Sequence, residues 1–240
     1  MSATGRGAVR VTSDYYPTPD AATDALLAWA ERTGLLDDVM RVVDPCAGDG
    51  AILRRVKHRY AMAVVAVELR EECRFELEMS GVGSIHIGDA LDRSNPEVRH
   101  AVRQSYTAVV TNPPFSLARE FVEHYRDAGQ FAAFLLRLPF LGSQARAPWW
   151  VANPPAHVLV LPERPAFVAV CKGRSKPKAK GCGRSYPLGT RGACACGGAI
   201  GDGTDNTEYA WFVWRGHTGR GQTCIDWHVA SRDDAMDGRR

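Results

Sequence analysis

The chain has no long hydrophobic run: none approaches the roughly 20 apolar residues that a membrane-spanning helix needs. Its start, Met1-Ser2-Ala3-Thr4-Gly5-Arg6-Gly7, lacks an apolar signal core, so the expected location is cytoplasmic with no membrane partner. Seven cysteines (Cys46, Cys73, Cys171, Cys182, Cys194, Cys196 and Cys224) are odd in number and come without a secretion leader, which argues against a disulfide framework. Net charge is small, +3 at pH 7. No internal repeat is visible.

What is present suits a globular protein. At 240 residues, 45% hydrophobic and 24% charged, the chain has enough material for one domain over residues 1–240 with a substantial core. Residues 231–240 read as a charged, disordered tail. The charge is unevenly placed: Lys172, Arg174, Lys176, Lys178, Lys180, Arg184 and Arg191 form a run of seven basic residues with no acidic one among them. The remainder carries 23 Lys and Arg against 27 Asp and Glu, net −4. Residues Lys172 to Arg184 are therefore the candidate contacts for a polyanion, with DNA the expected partner; a solvated lysine-rich loop is the plain alternative.

A helix start is written at Thr18-Pro19-Asp20, with Thr18 as N-cap and Gly34 closing an Ala/Leu-rich body. Strands are expected at Arg41 to Asp44, Ala63 to Glu68, Ser84 to Ile87, Tyr106 to Thr111, Phe131 to Leu138 and His157 to Leu161. Helices at Ala51 to His58, Glu71 to Met79, Pro96 to Gln104 and Ser116 to Asp127 separate the earlier ones. This alternation predicts an α/β fold with a doubly wound, mostly parallel seven-stranded sheet, Rossmann-like. After about residue 156 the pattern changes to a strand, a Gly/Lys/Cys-rich insertion, and strands at Glu208 to Trp214 and Thr223 to Ala230, an end that reads as antiparallel.

Val42-Val43-Asp44-Pro45-Cys46-Ala47-Gly48-Asp49-Gly50 sets a glycine-rich loop between the first strand and a helix, where a cofactor can approach the backbone closely. A dinucleotide fingerprint needs a third glycine where Leu53 stands, and Asp44 and Asp49 are acidic, so a cationic or amino-bearing ligand is favoured over a pyrophosphate. Glu68, at the end of the second strand, can accept ribose hydroxyls, and Asp89 before Ala90, after the third, can accept from an adenine amine. Thr111-Asn112-Pro113-Pro114-Phe115 follows the fourth strand: an amide, two prolines and an aromatic make a rigid lip suited to a flat ring with an exocyclic amine. The tripeptide alone means little, because Ala152-Asn153-Pro154-Pro155-Ala156 repeats it without a preceding strand. Its placement beside the first strand, across the switch point of a doubly wound sheet, carries the argument.

These motifs together resemble the amino-group DNA methyltransferases that use S-adenosylmethionine, in particular the small adenine-N6 enzymes of phages and prophages, over roughly residues 14 to 230. Tyr15-Tyr16-Pro17-Thr18-Pro19 is similar to their amino-terminal cofactor motif, Asp44 to Gly50 to the glycine loop, and Asn112 to Phe115 to the catalytic motif. Leu161-Pro162-Glu163-Arg164-Pro165-Ala166-Phe167 resembles the later target-side motif, and the order is that of the gamma arrangement. The resemblance implies cofactor contacts from Tyr15, Pro17, Thr18, Asp44, Pro45, Ala47, Gly48, Gly50, Glu68, Asp89, Ala90 and Asn112. It implies catalytic roles for Asn112, Pro113, Pro114 and Phe115, Asn112 in first position pointing to adenine. The Asn112 side-chain oxygen and Pro113 carbonyl would accept the amine's hydrogens while Phe115 stacks on a flipped base. Phe167 is a possible second wall, with core packing its plainer role. No large separate recognition domain exists, so the basic insertion and the loop Pro139 to Trp150 must read the target. Methylation of RNA guanine-N2 or protein glutamine, and a non-enzymatic DNA-binding adaptor, are the alternatives.

Cys171, Cys182, Cys194 and Cys196 crowd into residues 171–198 and could hold one structural zinc ion as four thiolates, ordering the basic insertion. The spacing contains a Cys-x-Cys instead of paired Cys-x-x-Cys knuckles, and incidental thiols in a reduced loop are the alternative. Cys46, Cys73 and Cys224 read as packing residues.

Overall fold

The computed structural model describes residues 17–102, 106–161, 163–171, 185–186, 190, 192–196, 198–203, 207–216 and 222–228. In chain order its helices are α1 (Asp20–Arg32), α2 (Ala51–Arg59), α3 (Arg74–Met79), α4 (Pro96–Val102), α5 (Ala118–Tyr125) and α6 (Ala147–Ala152). Its strands are β1 (Arg41–Asp44), β2 (Ala63–Glu68), β3 (Ser84–Ile87), β4 (Thr107–Thr111), β5 (Phe131–Arg137), β6 (His157–Val160), β7 (Val168–Cys171), β8 (Ser185–Tyr186), β9 (Gly192–Ala193), β10 (Ala199–Gly203), β11 (Tyr209–Arg215) and β12 (Cys224–Trp227). No helix among the described residues is long and apolar enough to cross a membrane.

Eight strands form the main sheet in the order β12-β6-β11-β5-β4-β1-β2-β3. β1 pairs in parallel with both β2 and β4, β2 with β3 and β4 with β5, so the chain reverses direction of build at β1/β4, as expected. Two details differ from the sequence expectation. The sheet has eight strands, not seven, and its late part is mixed: β11 runs antiparallel between β5 and β6, whereas β12 pairs in parallel with β6. Strand direction here is set by how far the chain travels between pairings, which local alternation does not encode.

The central strands are apolar on both faces because both are covered. Val42, Val64, Ala66, Ala108, Val110, Ala133 and Leu135 face one layer with α1, α2 and Leu77 of α3. Val43, Val65, Val67, Val109, Ala132 and Phe134 face the other, with α4, α5 and Trp149 of α6. Side chains alternate across each strand, so adjacent residues fall into opposite layers. Trp211 on β11 is wholly buried and its Nε1 donates to the Ala22 carbonyl at 2.7 Å, pinning the start of α1 to the sheet. Arg55 of α2 adds a two-pronged ion pair to Asp24 of α1 at 2.7 and 2.9 Å.

Helix α1 begins one residue later than its cap signal suggests. Pro19 is the N-cap, extended at φ −61° and ψ 137°, and its carbonyl accepts the first helical N–H groups. Thr18 is therefore not the cap. The predicted open loop Pro139 to Trp150 also differs: α6 ends it, Trp149 is buried and bonded to Glu123 at 2.6 Å, and Trp150 stacks near Phe212 and Trp214. Indole burial outweighs the loop-forming Gly and Pro of that stretch. The second Asn-Pro-Pro is explained here, since Asn153 follows α6 and its amide donates to the Trp149 carbonyl at 2.8 Å.

Between β6 and β11 the chain inserts a second, four-stranded sheet in the order β8-β7-β10-β9.

Candidate active site

The site is built at the carboxyl ends of β1, β2, β3 and β4. There a cavity of about 190 Å³ is lined by Pro17 and Thr18 before α1, the loop Asp44 to Asp49, Glu68 to Arg70, Asp89 to Leu91, and Asn112 and Pro114. Ala51 and Ile52 of α2, Leu117 just before α5 and Phe121 within it complete the wall. Of the sequence-predicted cofactor residues, Pro17, Thr18, Asp44, Pro45, Ala47, Gly48, Glu68, Asp89, Ala90 and Asn112 meet on this one cavity. Gly50 does not line it and Tyr15 lies outside the described residues.

The glycine loop is held by its neighbours. Gly48 takes a left-handed φ of 56° and its N–H donates to Glu68 Oε2 at 2.8 Å, tying the end of β2 to the loop after β1. Gly50, at φ 81°, caps α2, and a Cβ there would stand 2.6 Å from Ser80 Oγ; its role is conformational, which explains why it is absent from the wall. Glu68 Oε1 accepts from the Arg70 backbone N–H at 3.0 Å and Arg70 Nε at 2.7 Å. The carboxylate expected to meet ribose hydroxyls is thus already part of a latch, and a diol would replace Arg70 Nε on Oε1. Asp89 Oδ1 accepts the Leu91 N–H at 2.8 Å, and the residue is exposed at the rim of the cavity.

Asp44 is 1% exposed, and burial pushes its carboxyl up to about 7 although the Cys46 N–H and the Thr111 hydroxyl hold it down. The charges acting on it, Glu68 and Asp49, are both acidic and push the same way as burial. A ligand cation is the electrostatic complement such a carboxyl calls for. Cys46 packs against the second core layer as expected and also lines the cavity, and burial beside Asp44 keeps it a neutral thiol. Cys73 does pack in the core, whereas Cys224 is exposed on β12.

Asn112 leaves β4 with its Oδ1 buried and its Nδ2 donating to Thr18 Oγ1 at 3.1 Å. Thr18, freed from capping α1, holds the amide by its nitrogen and so fixes which way the oxygen faces. Pro114 lines the cavity and its carbonyl accepts the Leu117 N–H at 2.9 Å, stiffening the lip; Pro113 and Phe115 do not line it.

By sequence the chain matches no family profile and no curated protein. Among solved structures it is similar to a candidate RNA methyltransferase from Pyrococcus horikoshii, with a TM-score of 0.51 at 17% identity over 84% of this chain and 89% of that one. It is also similar to TrmN from Thermus thermophilus (0.44, 18%, 82% and 48%) and to an RNA methyltransferase from Salinibacter ruber in complex with S-adenosyl-L-homocysteine (0.42, 14%, 86% and 97%). The chain has the class I methyltransferase fold.

On that fold Phe115 stands apart from the cavity, in an aromatic group at the ends of β4, β5 and β11. Its ring centroid lies 5.7 Å from Tyr209 and 6.4 Å from Phe167, with the Arg137 guanidinium over its face at 4.3 Å. Arg137 Nε also donates to the Tyr209 hydroxyl at 3.1 Å. A base stacking on that face of Phe115 would take the place of the guanidinium. Phe167 is 5% exposed and 5.0 Å from Tyr209, so it packs behind the group as its plainer role suggested. Arg137 and Tyr209 were not read as site residues; the strand-end position of Arg137 after an apolar run was the available signal.

The metal expectation finds no support among the described residues. Cys182, Lys172, Arg174, Lys176, Lys178, Lys180 and Arg184 lie outside the described residues, and among the described residues no three His, Cys, Asp or Glu side chains converge as a metal site. Cys194 and Cys196 do come together, with sulfurs 3.4 Å apart.

Proposed function

We propose that the protein transfers a methyl group from S-adenosylmethionine to the N6 amine of adenine in DNA. The single observation that carries this reading is the convergence of Asn112 and Pro114 and the Asp44 to Gly48 loop on one cavity with Glu68 and Asp89. The fit of the cofactor is argued from the acids: a buried Asp44 surrounded by negative neighbours suits the ligand's ammonium group, and Glu68 and Asp89 stand in register for a nucleoside. Leu69, 67% exposed on the wall between them, offers an apolar surface to a flat ring. The class I methyltransferase fold agrees with this chemistry.

When bound, S-adenosylmethionine would supply an electrophilic methyl group with its thioether as the leaving group, and the methylated amine would lose its surplus proton to solvent. The chain's own part is orientation. An aromatic amine is a poor nucleophile because its lone pair is delocalised; Asn112 Oδ1 and the Pro113 carbonyl accept its hydrogens and turn the lone pair out of the ring plane. Fixed dipoles of this kind act without reorganising, so no covalent nucleophile is needed. Phe115 provides the stacking face, outside the cofactor cavity, once Arg137 yields it. The basic run Lys172 to Arg184 supplies phosphate contacts.

An RNA substrate is the second reading, favoured by the assignment of the Pyrococcus horikoshii protein as a candidate RNA methyltransferase. Incubation with radiolabelled S-adenosylmethionine and, separately, duplex DNA, RNA and protein, followed by nucleoside analysis, tests both. N6-methyladenine in DNA is expected; label confined to RNA or protein replaces the substrate, and label in none with tight DNA binding leaves an adaptor.

A further inference from the structure

The pairing of β5 with β11 sets a cation over the ring on which a base is to stack. Arg137 ends β5 directly opposite Tyr209, which begins β11, so the two side chains leave the strand ends on one face. β4 lies beside β5, with Thr111 opposite Phe134, and Phe115 follows four residues after Thr111 to the same end. Tyr209 is wholly buried and Phe167 nearly so, whereas Phe115 and Arg137 are half-buried. Phe115 is thus backed by two buried rings, and the guanidinium carbon of Arg137 stands 4.3 Å from its ring centre. The backbone beneath Arg137 is fixed, because β5 pairs with β11 from Phe131 to Arg137 and the Leu138 N–H donates to the Glu208 carbonyl at 2.9 Å. Motion of the guanidinium is therefore rotation of one side chain.

A guanidinium on an aromatic face holds the place of a nucleobase. Both groups are flat and delocalised and both stack on such a ring, so one face cannot carry the two together. A base that stacks there displaces Arg137 from Phe115 and from the Tyr209 hydroxyl, to which Nε donates at 3.1 Å. The displaced group keeps its charge, since arginine is not deprotonated in proteins. Its strongest partners are planar anions that accept two hydrogen bonds at once, carboxylate and phosphate. A nucleotide flipped out of a strand brings a phosphate on either side of its sugar, and a free nucleoside brings none. The first replaces the contacts that Arg137 gives up; the second does not.

We propose that Arg137 determines the substrate class of the site: its guanidinium occupies the stacking place on Phe115 until a base carrying a phosphate displaces it, and it then pairs with that phosphate. The inference rests on the reading of Phe115 as the stacking face for the target base. One side chain thereby closes the slot against free nucleosides and stabilises a nucleotide held in a strand. The selection is for phosphate, so it holds for either kind of nucleic acid and for whichever base is flipped. Two variants of similar length separate the contributions of plane and charge: Arg137→Gln keeps a planar donor for the Tyr209 hydroxyl without the charge, and Arg137→Lys keeps the charge without the plane.

The full chain, saturated with S-adenosyl-L-homocysteine, is titrated with the common deoxynucleosides and with their monophosphates, and binding is followed by ligand-observed NMR. For the base that the slot accepts, the wild type should bind the monophosphate at least about tenfold tighter than the nucleoside. Arg137→Gln should bring that ratio to about one, chiefly by weakening the monophosphate. Arg137→Lys should keep most of the ratio and bind the nucleoside about threefold tighter than wild type, because the ring is uncovered. In turnover on a single-stranded oligonucleotide, Arg137→Gln should raise KM about tenfold with kcat within about twofold, a split that lost packing does not produce. A wild type that binds no monophosphate, or binds it no tighter than the nucleoside, would overturn the proposal, as would one ratio shared by all three proteins. Equal losses of nucleoside and monophosphate binding in both variants would also overturn it, marking Arg137 as a fixed wall. Methylated adenine in DNA with an unchanged ratio keeps the proposed function and removes this role for Arg137. A ratio that Arg137→Gln abolishes on a base other than adenine does the reverse.

Discussion

Asn112 Nδ2 donates to Thr18 Oγ1 at 3.1 Å, joining residues 94 apart in the chain across the mouth of the cavity. An amide has one face that donates and one that accepts, so spending the nitrogen on Thr18 commits Oδ1 to whatever enters the site. The relationship couples the segment before α1 to the end of β4.

Thr18→Val keeps the shape of the side chain but removes the acceptor, at a cost of about 1 kcal/mol for a part-buried bond. We expect kcat to fall about fivefold to tenfold with a smaller change in cofactor affinity, and Thr18→Ser to restore most of the rate. Steady-state kinetics on the two variants check this. Equal losses in both would show that Thr18 acts by packing.

Asn112→Ala removes the acceptor itself, and loss of one preorganised group of this kind costs about 10²-fold or more in kcat. Cofactor affinity, measured by calorimetry, should drop far less, since the loop Asp44 to Gly48 and Glu68 remain. A variant that still turns over at the wild-type rate removes Asn112 from the mechanism.

Asp44 gives two opposite pH trends. Its folded carboxyl is raised from 3.8 to about 7, so the ligand-free folded protein keeps a proton that the unfolded chain releases. Stability of the ligand-free form from this group is present below about pH 4 and declines as pH rises to about 7. Asp44→Asn abolishes that decline and should raise Tm by several degrees at about pH 8, with little effect near pH 4. A cationic ligand needs the carboxylate, so cofactor binding should tighten as pH rises through about 7 in the wild type and stay flat in Asp44→Asn. Thermal melts and calorimetry across that range measure both; parallel pH curves in the two proteins would refute the assignment.

Phe115→Leu retains apolar bulk but loses the stacking face, worth about 1–3 kcal/mol per base. Because Phe115 lies off the cofactor cavity, kcat/KM for nucleic acid should fall about tenfold or more while cofactor affinity is unchanged. Arg137→Ala uncovers the same ring and, if the guanidinium only holds the face in reserve, leaves the base affinity equal or tighter.

Gly50→Ala should destabilise the fold. The left-handed backbone costs an L residue about 1–2 kcal/mol, and the new methyl meets Ser80 Oγ at 2.6 Å. Chemical denaturation of the single variant and of the pair with Ser80→Ala separates the two costs; the pair should recover the steric part and keep the backbone part.

How much of this was legible depended on the range of the interaction. The glycine loop, the acids Glu68 and Asp89, and the strand before Asn112 were readable because each is local: a turn that needs positive φ at Gly48 and Gly50, or a carboxylate at the end of a short apolar run. The same locality misled at Thr18, which carries a cap signature yet bonds Asn112, and at Trp149 and Trp150, where burial turned an expected loop into α6. Cys46 was legible as a packing residue, but its place on the cavity wall was not, because nothing in its own neighbourhood distinguishes a cavity wall from a core position.

By itself the sequence determined the doubly wound α/β order, the composition of the cofactor loop and the clustering of cysteines with basic residues, all of which follow from local turn chemistry and hydrophobic period. Only the tertiary structure decided that Thr18 meets Asn112, that Arg137 covers Phe115, that β12 runs parallel to β6 as an eighth strand, and that Cys171 and the Cys194–Cys196 turn share one end of a small sheet. Those are pairings between distant segments, set by which surfaces bury one another, and no periodicity within either segment records its partner.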